Sequence, residues 1–96
     1  MHADDPKTIA YHVIYHGRVQ GVGFRATTAH LAQKYAITGF VRNLPNGTVE
    51  LVVQGAEFEA QRFLQHVATD FGGQITKIED QEISQDDSLK GFAARW

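Results

Sequence analysis

The stretch Gly17-Arg18-Val19-Gln20-Gly21-Val22-Gly23-Phe24-Arg25 constrains this chain more than any other. It joins a run that alternates like a strand, Ile9 to His16, to a helical pattern beginning near Phe24. Its glycines allow positive φ and close approach of the backbone to a ligand. Strand, glycine turn and helix in that order aim several free N–H groups at a helix N-terminus, where an anion is favoured. Arg25 is the odd residue there. A cation in the first helical turn opposes the macrodipole by a few tenths to ~1 kcal/mol. A bound anion reverses that sign, because arginine forks two donors onto a phosphate or carboxylate. From the residues alone, the stretch is either an anion cradle with its own clamp or a glycine-rich turn followed by a solvated arginine.

The rest of the chain supplies elements around it. Ile9, Tyr11, Val13 and Tyr15 alternate with Ala10, His12 and Ile14, and the first set should face a core. Phe24, Thr28, Leu31, Ala32 and Tyr35 form one stripe of a helix expected to end near Tyr35 or Ala36. Ile37 to Leu44 and Thr48 to Gln54 read as strands joined by Pro45-Asn46-Gly47, a strong hairpin signal, with Gly55 at the exit. Ala60, Leu64, Val67 and Phe71 make a second amphipathic stripe, widened by Phe63 and stopped by Gly72-Gly73. Ile75 to Ile83 is rich in β-branched residues but alternates badly, as a twisted or bulged edge strand would. A polar turn over Ser84 to Lys90 leads to a last short strand, Phe92, Ala94 and Trp96 alternating. This β-α-β-β-α-β order with a short C-terminal strand predicts an α+β chain. The expected fold is a ferredoxin-like α/β sandwich with two helices on one face of an antiparallel sheet.

The glycine block, followed by Gly39-Phe40-Val41-Arg42-Asn43 and Gly47-Thr48-Val49, resembles acylphosphatase. The likeness runs from about Tyr11 to the closing Arg95-Trp96, and the nine-residue block is its most specific part. It departs at Ala94, where the family usually has a bulkier aliphatic residue. The resemblance implies a small stand-alone acylphosphatase that hydrolyses small acyl phosphates. It implies that the Gly17 to Val22 loop holds the phosphate, with the backbone amides of Gly17, Arg18, Val19, Gln20, Gly21 and Val22. Arg25 would clamp the phosphate and Asn43 would position the attacking water. Without the resemblance, Asn43 reads as a strand-end residue satisfying backbone groups.

Composition removes several other classes. Ninety-six residues make one core, expected over residues 8–96 behind a flexible tail at 1–7. Net charge is -2, so no global field recruits nucleic acid or an anionic membrane, and any phosphate site must be local. The absence of cysteine excludes disulfides, Cys-ligated zinc and thiolate phosphatase chemistry. The acidic start lacks the apolar core of a signal peptide, and no apolar run approaches ~20 residues, so the expectation is a cytoplasmic protein.

Rival motifs fare worse. Gly21 to Ala26 matches a dinucleotide fingerprint, but Phe40-Val41-Arg42-Asn43 stands where an acidic ribose partner belongs. No Lys-Ser/Thr pair follows the glycines, which removes the triphosphate cradle. The run Thr48 to Val53 lacks the stacking aromatics of an RNA-recognition module. His12 and His16 share a strand face but stand ~13 Å apart at ~3.3 Å per residue, too far to share a metal. Asp86-Asp87 reads as a solvated turn, and Arg18 and Arg42 as sources of positive potential or solvated groups. With the resemblance, the expected chemistry is metal-independent hydrolysis without a cofactor, by a monomer with inorganic phosphate as product and inhibitor. The competing class is a non-catalytic phosphate-binding or regulatory module of the same fold.

Overall fold

A computed structural model describes residues 7–96. The tail expected at 1–7 lies outside the described residues except for Lys7, whose carbonyl accepts the Glu57 N–H. The elements are β1 (Thr8–Gly17), α1 (Phe24–Ala32), β2 (Ile37–Asn43), β3 (Val49–Ala56), α2 (Glu57–Asp70), β4 (Ile75–Ile83) and β5 (Phe92–Arg95). The strands form one sheet in the order β4-β1-β3-β2-β5.

Period-two alternation makes the core. Val13 and Tyr15 of β1, Val41 of β2, and Val49, Leu51 and Val53 of β3 bury one sheet face. Phe24, Leu31 and Ala32 of α1 and Ala60, Phe63 and Val67 of α2 cover it. Each such large side chain contributes roughly 1.5–3 kcal/mol by leaving water. Phe63, expected only to widen the second stripe, is fully buried, while Leu64 is only partly buried. Glu57 and Glu59 in the first turn of α2 complement its macrodipole and start the helix ahead of its apolar stripe.

Four strands are antiparallel as expected, but β5 runs parallel to β2, with Arg42 opposite Arg95. The sheet is therefore mixed, because the chain from β4 crosses to the opposite edge before pairing. Gln54 holds that crossing by accepting the Asp86 N–H at 2.7 Å and donating to the Asp86 carbonyl at 3.2 Å. Asp86 also accepts from the Ser88 N–H and hydroxyl, so it closes a turn. β4 is an exposed edge, and a register shift lies between His16 and Gly17 opposite it. Helix α1 ends at Ala32, short of Tyr35, because the N–H groups of Gln33, Lys34 and Tyr35 bond three residues back and tighten the chain into a turn. Gly55 does not end its strand; it pairs with both Ile9 and Ile37.

Candidate active site

The loop between β1 and α1 is pinned at both ends. Gly17 ends β1 opposite Ile75 at φ 122°, and a Cβ there would collide with the Gln74 carbonyl and Thr76 nitrogen. Only glycine fits that approach. Val19 points inward and is wholly buried, and Phe24 stacks against Tyr15 and Phe71 with centroids 5.1 and 4.5 Å away. Burial pushes the Tyr15 phenol upward, with the Asp80 charge adding to it, so Tyr15 stays neutral.

The expected phosphate-binding amides differ in what they already bind. Arg18 N–H donates to the Gln74 carbonyl at 2.8 Å and is already paired. Among the described residues, the N–H groups of Val19, Gln20, Gly21 and Val22 have no protein acceptor, so the free run begins at Val19. It continues into α1. Gly23 takes the N-cap position in the left-handed region at φ 80°, with no side-chain cap and no acidic residue in the first turn. The helix N-terminus thus stays open, with Arg25 beside it.

Arg25 is half-buried and held from the far edge of the sheet. Its Nη1 donates to the Arg95 carbonyl at 2.9 Å, and its guanidinium carbon lies 4.2 Å from the centroid of the Trp96 ring. One guanidinium N–H is occupied there, which leaves others for an anion. Asn43 ends β2 opposite Val49, and its Oδ1 is buried with no hydrogen-bond partner among the described residues. It is joined to the cradle through Gln20, whose side chain binds the carbonyl of the next residue, Leu44, at 2.8 Å.

Other candidate residues go elsewhere. Arg42 and His12 both bind Glu50, at 2.5 and 2.8 Å, and His16 binds Glu79. Burial opposes ionisation of Glu50, but the hydrogen bonds from His12 and Arg42 outweigh it and hold its carboxyl below the ordinary carboxylate value. The His16 hydrogen bond and the Lys77 charge likewise lower Glu79. Sequence reasoning missed the Gln20 side chain, which carries no local signal, and Trp96, whose place on the Phe92-Ala94-Trp96 face was visible but whose contact with Arg25 was not.

The family model of acylphosphatase matches residues 11–94. The chain belongs to the acylphosphatase family. It is 39% identical over 84 residues to an acylphosphatase of Bacillus licheniformis, covering 88% of this chain and 91% of that protein. It is 45% identical over 76 residues to an acylphosphatase of Geobacillus thermodenitrificans, 79% of each. The crystal structure of acylphosphatase from Bacillus subtilis superposes with a TM-score of 0.82 at 30% identity, covering 92% of this chain and 99% of that one. The ferredoxin-like arrangement of two helices on one open sheet is that of this acylphosphatase.

Proposed function

We propose that this protein hydrolyses the carboxyl–phosphate bond of small acyl phosphates, releasing a carboxylate and inorganic phosphate. One observation carries the reading: unpaired amides from Val19 to Val22 run into an uncapped helix N-terminus beside Arg25. Such a run of free donors at a helix N-terminus suits a phosphoryl group. Membership of the acylphosphatase family supports the same substrate class.

Phosphoryl transfer asks a protein mainly for positioning and charge stabilisation. The cradle amides and Arg25 take up charge on the equatorial oxygens. The half-buried Asn43 side-chain amide orients the attacking water and directs its oxygen at phosphorus. The water–phosphorus bond forms as the bond to the carboxyl oxygen breaks, and the electron pair leaves with the carboxylate. An amide does not titrate, so the water's proton passes to a phosphoryl oxygen. Released phosphate occupies the same cradle and competes with substrate.

The reading requires no metal. It rests on a chain without cysteine and, among the described residues, no cluster of three metal-ligating side chains. No helix of the described residues is long and apolar enough to cross a membrane. We place the protein in the cytoplasm, acting as a monomer. Phosphate release from benzoyl phosphate, before and after EDTA dialysis, tests the proposal. Equal turnover in both supports it; phosphate binding without turnover makes the protein a binding module, and loss restored by a divalent ion makes it metal-dependent.

A further inference from the structure

Gln20 offers the cradle more than its backbone. Its Nε2 donates to the Leu44 carbonyl at 2.8 Å and to the Thr48 carbonyl at 2.9 Å. Those carbonyls belong to the last rung between β2 and β3, where Leu44 N–H donates to Thr48 at 2.9 Å. Thr48 does not return that bond; its N–H turns to Asn46 Oδ1 at 3.2 Å. The Leu44 carbonyl meanwhile takes the Gly47 N–H at 3.2 Å, closing the turn. Gln20 therefore bridges two carbonyls that the ladder leaves only partly used, with both protons of one amide nitrogen.

We propose that the Gln20 side chain is a positioning residue that locks the β2–β3 turn, and with it Asn43, onto the phosphate cradle. The inference rests on the water-orienting reading of Asn43 given above. Both ends of the tie are firm. On the cradle side, buried Val19 precedes Gln20. On the other side, Thr48 is buried and its hydroxyl donates to Asn46 Oδ1 at 2.6 Å. Asn43 is one residue from Leu44, so a shift of the turn moves the Asn43 amide with it. A displacement of about 1 Å is enough to cost ~100-fold when a reacting group must be aligned. The residue type matters too. Methionine fills the space without donating, and an ionised glutamate has no proton to give.

The test is Gln20→Met. Its kcat for benzoyl phosphate should fall at least ~10-fold while the phosphate Kd stays within about threefold, the signature of lost alignment rather than lost binding. The Gly47 amide should exchange faster in the variant than in the wild type. Combined with Asn43→Ala, Gln20→Met should add no further loss, because both changes remove the same contribution. Wild-type kcat in Gln20→Met, or losses that multiply in the double variant, overturn the proposal. Wild-type turnover in Asn43→Ala would also overturn it, through the reading on which it rests; Gly47 exchange would still report the tie. If Gln20→Met does not fold, Gln20→Glu decides. Its kcat relative to wild type should rise as pH falls and the carboxyl gains a proton to donate, and a flat ratio overturns the proposal.

Discussion

The Arg25 guanidinium lies 4.2 Å from the centroid of the Trp96 ring, although these residues open α1 and follow β5. With the bond to the Arg95 carbonyl, this contact holds a cation at an open helix N-terminus that would otherwise repel it.

Arg25→Ala should weaken phosphate binding at least ~10-fold, since a charge-assisted hydrogen bond contributes about 1.5–3 kcal/mol. Turnover should nearly vanish. Arg25→Lys should restore little, because an ammonium lacks the planar fork. Trp96→Ala removes a cation–π contact of about 0.5–1 kcal/mol, so its phosphate affinity should fall only about two- to fivefold. Calorimetric titration with phosphate checks all three. A folded Arg25→Ala with near-normal affinity would remove the clamp.

Asn43→Ala should lose at least ~100-fold in kcat, the scale of a positioned polar group acting in the transition state, with phosphate affinity unchanged. Asn43→Asp should do no better, since a carboxylate repels the phosphate dianion. Steady-state kinetics beside phosphate binding separate the outcomes. Wild-type turnover would leave Asn43 a strand-end residue, and parallel loss of binding would make it part of the cradle.

Phosphate should raise the thermal midpoint beyond a chloride control of equal ionic strength. A ligand bound only by the native state adds about 2.7 kcal/mol at a hundredfold excess over Kd. For a domain of this size, each kcal/mol moves the midpoint by roughly 4–8 °C. Identical midpoints in phosphate and chloride would count against the cradle.

Glu50 gives a pH prediction on the opposite sheet face. Its side chain is 14% exposed and accepts from both His12 and Arg42. Because its folded carboxyl is held below the ordinary carboxylate value, its stabilisation is complete above that ordinary value and is lost as pH falls through the lower, folded one. Glu50→Gln should cost about 1.5–3 kcal/mol at pH 7, and the gap to wild type should narrow in acid. Urea unfolding at several pH values measures it. A gap that widens as pH falls through the carboxylate range contradicts the pairing.

The glycine turn with Arg25 after it, the element order and the hairpin at Pro45-Asn46-Gly47 were legible in the residues alone. Each depends on residues within a few positions: periods of two or four, or a turn needing positive φ. The stripe Phe24, Thr28, Leu31 and Ala32 was legible for that reason, and all four are buried. Tertiary structure alone decided the parallel pairing of β5, the capture of Arg18 N–H by Gln74, the Gln20 bridge and the Arg25–Trp96 stack. Gln20 and Leu44 are 24 residues apart, and Arg25 and Arg95 are 70 apart. No local pattern encodes such partners. They meet because sheet order brings the ends of β1, β2 and β5 together at one end of the fold, and side chains then satisfy whichever donors and acceptors the ladder leaves open.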